Sequence, residues 1–184
     1  MAGERRPMTV NPVLVLEFGF LLAMAVAAFR DLAAWSLPNW LTICVALGYC
    51  AWAWASGASW SAVGWSLAAG LLVLGAGYLL FTVRLWGAGD GKMAAAVALW
   101  IGLNLDLFRF FLVVSLAGGV LAIVSLAIHF ATGKPQVPPG DDSGLEAARR
   151  NPLKAKARYG AAIAIGGLDF WLRHSQAVCL FSGC

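Results

Sequence analysis

The sequence predicts an all-α, polytopic membrane protein, a bundle of six transmembrane helices. Three observations carry that reading. Of 184 residues, 61% are hydrophobic and 12% charged, where soluble proteins carry about 25% charged residues. Mean hydropathy is +0.78, more apolar surface than a soluble globule of this size can hide. The apolar residues also form continuous runs, not the alternation of a transmembrane barrel.

The runs follow in order as Pro12–Phe29, Pro38–Ala55, Ala62–Val83, Met93–Leu105, Phe108–Ala131 and Tyr159–Leu172. A spanning helix needs about 20 residues, so the fourth, MAAAVALWIGLNL, is short. Asn104, Asp106 and Arg109 divide Met93–Ala131 into two spans with a tight polar turn, because a single span of that length would exceed the bilayer. Pro38 suits the first turn of the second helix. Gly70, Gly75 and Gly77, Gly118 and Gly119, and Gly166 and Gly167 read as helix-packing positions. Trp35, Trp40, Trp60, Trp86 and Trp171 read as interfacial anchors. The first run is too long for a signal-peptide core, and no small-residue cleavage site precedes Asp31. The polar loop at 132–158 is too short for a separate soluble domain, so residues 1–184 read as one membrane-embedded unit.

Lysine and arginine set the orientation. With the N-terminus outside, Arg30, Arg84, Lys92, Lys134, Arg149, Arg150, Lys154, Lys156 and Arg158 face the cytoplasm, and Arg5, Arg6, Arg109 and Arg173 face out. The opposite orientation inverts that excess, so the sequence predicts N-out and C-out. The net charge of +4 reflects these basic loops and is no nucleic-acid footprint.

Two aspartates stand out. Asp31 closes the first run in FRDLAAWSLPNW, and Asp90 sits in the glycine-rich break WGAGDGKM. An ionisable group at a membrane boundary is a functional-site hypothesis. Between them the chain crosses out and back, so hairpin parity puts both on one face, whichever way the bundle is oriented. Two neighbouring carboxylates share a proton, because both cannot ionise easily. Such a pair can activate water with one member and polarise a peptide carbonyl with the other. The glycines admit backbone conformations closed to other residues, and a mobile loop around Gly87–Gly91 is the expected setting of Asp90.

Together the motifs resemble the type IV prepilin peptidase family, the GxGD-type membrane aspartic proteases. The match runs through Asp31, Leu37-Pro38-Asn39, Gly87-Ala88-Gly89-Asp90, Lys92 and the following MAAAVALWIG, from about Phe29 to Gly167. Tyr159 and Gly160 match the family's P-Y-G before its last span, with arginine in place of proline. The resemblance implies catalytic roles for Asp31 and Asp90 and supporting or substrate-binding roles for Asn39, Gly87, Gly89, Lys92, Tyr159 and Gly160. It implies no metal and no cofactor. The implied partner is a prepilin-like substrate with a short basic leader, cut at the cytoplasmic face of the bacterial inner membrane before its hydrophobic segment. The chain lacks the N-terminal region with paired CxxC motifs that larger members link to N-methylation. It therefore resembles the compact, peptidase-only form of tight-adherence (Flp pilus) systems, with no methyltransferase activity supported.

The remaining polar residues have plainer readings. Lys92 either binds an acidic group near the cleavage point, tunes the ionisation of Asp90, or anchors the cytoplasmic face. Asn39 either hydrogen-bonds near the aspartates or begins a helix. Glu17 suits an interhelical hydrogen bond, and Asp169 pairs with Arg173 four residues on. Asp106 falls in the outer turn. His129 and His174 share no side and no metal-like neighbours. The loop at 134–158 is a solvated linker within reach of acidic lipid headgroups or substrate. Cys44 and Cys50 read as packing residues; Cys179 and Cys184 could pair if the tail is periplasmic. The rival function is a small transport subunit with Glu17, Asp31, Asp90 and Asp169 as an ion or proton path, but the acids do not align at mid-membrane and no broken-helix repeat appears.

Overall fold

A computed structural model describes residues 11–34, 37–83, 86–132 and 159–175. The described residues form six helices: α1 (Pro12–Ala34), α2 (Asn39–Ser56), α3 (Trp60–Thr82), α4 (Ala88–Ile101), α5 (Leu105–Thr132) and α6 (Tyr159–His174). Three of them, α1, α3 and α5, are long and apolar enough to cross a membrane by length and composition.

No glycine or proline interrupts α1 after the first run's expected end at Phe29, and the helix continues to Ala34. Its buried positions are Val13, Glu17, Phe20, Met24, Ala27 and Asp31, separated alternately by four and three residues. That spacing is one helix face. Asp31 is therefore the last member of the inward stripe, on the helix itself, and Glu17 an earlier one.

α2 buries Leu41, Val45 and Tyr49. Pro38 does not enter its first turn; it is the extended N-cap, with φ −71° and ψ 140°. Cys44 and Cys50 lie off the buried stripe and are exposed, so they do not pack the interior as expected. Ser59 caps α3, its side chain accepting from the Ala62 N–H at 3.3 Å.

The largest departure concerns α4. It begins at Ala88, five residues before the expected run at Met93, and ends at Ile101. Gly87 caps it in an extended conformation, and Gly102 stops it at φ +78°, a region that L side chains rarely adopt. The expected mobile loop at Gly87–Gly91 is thus mostly the packed first turn of a helix. Gly91 and Gly77 meet backbone to backbone, so that a Cβ built on Gly77 would lie 3.1 Å from the Gly91 Cα. Small residues permit such close crossings in lipid.

The turn between α4 and α5 is short and polar, as the sequence suggested. Asn104 spans it: its amide donates to the Ile101 carbonyl at 3.0 Å, and its side-chain oxygen accepts from the Asp106 N–H at 2.9 Å. α4 packs on α2, α3, α5 and α6; α6 packs on α1, α4 and α5. The core therefore centres on these two short helices, with Met93–Ala98 of α4 and Ala161–Ala164 of α6 all buried.

Trp40 and Trp60 are exposed, as boundary anchors would be. Trp86 and Trp171 instead pack partly buried against the core, Trp86 edge-on to Tyr159 and Trp171 beside Phe18. Among the small residues singled out, Gly75 and Gly119 face open space. Trp35, the loop at 134–158, Cys179, Cys184 and the side chain of His129 lie outside the described residues.

Candidate active site

Asp31 and Asp90 are 5% and 9% exposed. The inward stripe of α1 delivers Asp31 to the start of α6. There the Ala161 N–H donates to Asp31 Oδ2 at 2.9 Å. First-turn amides have no partner inside their own helix, so α6 offers this donor without losing a helical bond. The approach depends on Gly160: a Cβ there would lie 2.8 Å from Asp31 Cγ and 3.0 Å from Leu37 Cδ1. No larger residue fits without moving the aspartate or the leucine.

Asp90 lies in the first turn of α4, where a negative charge complements the helix dipole. Its carboxylate folds back over the cap residue. A Cβ on Gly87 would fall 2.6 Å from Asp90 Oδ2, so the first glycine of GAGD clears the space that the carboxylate occupies.

Leu37 connects the two halves. Its side chain reaches the Gly160 position beside Asp31, while its Cβ and carbonyl oxygen lie 3.6 Å from the Cβ position of Gly89. Gly89 immediately precedes Asp90. The end of α1, the Leu37-Pro38 link and the starts of α4 and α6 thus converge at one end of the bundle.

Tyr159 stands beside this cluster, edge-on to Trp86 with ring centroids 6.4 Å apart. Both rings line a cleft of about 290 Å³ between α3 and α5. Asn39 and Lys92 are exposed and turn away into a different groove, between α2 and α3.

The remaining acids lie elsewhere. Glu17 is 14 residues before Asp31 on α1, about 21 Å along the axis. It is buried and accepts a hydrogen bond from the hydroxyl of Ser175, the residue just past the end of α6, so its partner is at a helix terminus and not within a neighbouring helix. Asp169 binds Arg173 as its spacing predicted, and also faces Arg109 of α5 at 3.5 Å. Asp106 is in the first turn of α5, 3.4 Å from His174. Glu17 and Asp169 are thus separated from Asp31 and Asp90 along the bundle. Among the described residues, no group of three or more His, Cys, Asp and Glu is placed to hold a metal ion.

Two parts of the site had no sequence signal of their own. The Ala161 donor is a backbone group, which any residue supplies. Leu37 was visible only as a letter of Leu37-Pro38-Asn39, and its role as a wedge between two glycines depends on tertiary approach. Chemically, the arrangement offers two carboxylates with little access to water, one tied to a backbone donor and the other at a helix start. Such groups suit proton transfer.

A family model described as the type IV leader peptidase family matches residues 18–123, a stretch that contains Asp31, Leu37-Pro38-Asn39 and Gly87–Lys92. No curated protein and no solved structure gives a significant match.

Proposed function

The chain belongs to the type IV leader peptidase family, and on that premise we propose that it is a membrane aspartic endopeptidase acting through Asp31 and Asp90. One observation carries the reading: two nine-tenths-buried carboxylates inside the family-matched stretch, at the same end of the bundle, with Leu37 packed against both Gly160 beside Asp31 and Gly89 beside Asp90.

In the proposed reaction the pair holds one proton. The ionised member takes a proton from water as the water oxygen bonds to the scissile carbonyl carbon. The protonated member gives its proton to the carbonyl oxygen. Collapse of the tetrahedral intermediate breaks the C–N bond, a proton passes to the leaving amine, and the pair again shares one proton. The two carboxyls titrate as a unit, so neither role belongs to one residue. No covalent intermediate, metal or cofactor enters the scheme.

The substrate in this reading is a prepilin-like protein of the Flp type, cut behind its basic leader at the cytoplasmic face of the inner membrane. The chain then spans six times with both termini outside, as the lysine and arginine distribution suggests. Gly87, Gly89, Tyr159 and Gly160 support the two aspartates. Reporter fusions at the 132–158 loop and at the C-terminus test the topology; a loop reporter active only outside the cell would overturn it.

The decisive experiment is co-expression with a prepilin-like substrate, followed by the mobility shift that leader removal produces. Asp31→Asn and Asp90→Asn are each expected to reduce cleavage at least about a hundredfold. Native-rate processing by either variant would remove that residue from the mechanism.

A further inference from the structure

α2 and α3 are joined by a short link, yet they scarcely touch. Each packs on α4 instead. The space between them is a groove of about 640 Å³. Its lining has a regular pattern. α2 contributes Asn39, Thr42, Ile43 and Ala46. α3 contributes Leu67, Gly70, Leu71 and Leu74, and α4 contributes Lys92, Ala95, Ala96 and Leu99.

On each helix the lining positions are i, i+3, i+4 and i+7, the single stripe that a helix shows to a packed neighbour. Each stripe covers about 10 Å of axis. Three helices thus present matched two-turn stripes to one empty axis. Ala95 and Ala96 keep the floor low, as close helix approach in lipid requires. At one end stands Lys92, exposed, without an ion-pair partner among the described residues and two residues from Asp90. This end of the groove, at the starts of α2 and α4, therefore lies at the level of the candidate active site.

We propose that the groove seats the apolar helical segment of the substrate, the part that stays in the membrane beside the scissile peptide, with a substrate carboxylate at the level of Lys92. This rests on the peptidase reading and adds to it the place where the uncleaved part of the substrate is held. A lipid chain also fits apolar walls. Matched stripes on three helices favour a helix, and a lysine within the helical turn that carries Asp90 favours a segment continuous with the cleaved one.

The test uses a photocrosslinker attached to Ile43→Cys, with the four native cysteines replaced by serine, in an Asp31→Asn background that leaves substrate uncut. The full chain is co-expressed with a prepilin-like substrate carrying its leader and apolar segment. Mapped cross-links should recur every three or four residues along one face of that segment, while a crosslinker at lipid-facing Val120→Cys gives none. Ala96→Trp in the cleavage-competent chain should abolish the Ile43 cross-link when combined with that background, and should lower cleavage at least about tenfold.

Cross-links that are absent, lack helical period or go only to lipid overturn the proposal. So does native-rate cleavage by Ala96→Trp. If the parent chain cleaves and no substrate cross-link forms, the groove fails and the peptidase reading stands. If periodic cross-links form but the parent chain never cleaves, the peptidase reading fails while the binding groove stands.

Discussion

α4 and α5 are consecutive helices of opposite design. α5 is 28 residues long, yet only 11% of its apolar window is buried. α4 has 14 residues, about 21 Å, which is less than the roughly 30 Å hydrocarbon core. Met93 through Ala98 are nevertheless all buried. In a bilayer, strong hydropathy marks surface that meets lipid, because lipid and leucine are equally apolar. Interior helices are selected for small residues and close approach. The helix that carries Asp90 is therefore the less conspicuous of the two in a hydropathy profile. α6 shares its design: 16 residues, buried from Gly160 to Ala164, and the donor to Asp31 in its first turn.

Substitutions can break this contrast. The largest effect is expected at Gly160. Gly160→Val must displace Asp31 or Leu37, and a misplacement of about 1 Å can cost a hundredfold in rate. Leader cleavage should fall by that order while circular dichroism stays helical. Near-native cleavage would mean that the Gly160–Asp31 contact is dispensable.

The Gly77–Gly91 crossing should respond in stability. Gly91→Leu forces the α3 and α4 backbones apart and is expected to cost about 1–3 kcal/mol, read as a lower midpoint in detergent thermal unfolding. A smaller effect is expected at the Arg109–Asp169–Arg173 cluster, whose side chains are 30–54% exposed. Asp169→Asn should cost about 1 kcal/mol or less and leave cleavage intact. A strong loss of activity there would revive a role for the acids remote from Asp31 and Asp90.

The smallest effect belongs to α5. Ile123 is 69% exposed, and Ile123→Ala should change stability by no more than about 0.5 kcal/mol, measured in the same thermal assay. If it costs as much as Gly91→Leu, the division between an interior α4 and a lipid-facing α5 is wrong.

Much of the site was legible because its residues come in local motifs. GAGD, Leu37-Pro38-Asn39 and Tyr159-Gly160 each sit at the end of an apolar run, and Gly87–Asp90, Leu37 and Gly160 are found at the convergence of α1, α4 and α6, while Asn39 faces the α2–α3 groove. The 4-3-4-3-4 stripe ending at Asp31 could also have been read, and it would have put Asp31 on the helix. The start of α4 was harder to read. Three glycines between Trp86 and Met93, at every second position, suggest a loop, because glycine disfavours helix interiors. Here close contact across Gly91 and Gly77 accompanies a helical turn in place of that loop. Cys44 and Cys50 show the reverse error: both are apolar residues in an apolar helix, and only their offset from Leu41, Val45 and Tyr49 puts them outside.

The sequence by itself determined the helical class, the approximate helix order and the two aspartate motifs, since hydropathy, glycine and proline act over a few residues. Only the tertiary structure decided that a backbone amide of α6 meets Asp31, that Leu37 lies against both Gly89 and Gly160, and that α2 and α3 separate over α4. Those contacts join residues as far as 130 positions apart. They depend on where a missing Cβ lets one chain segment approach another, which no local pattern records.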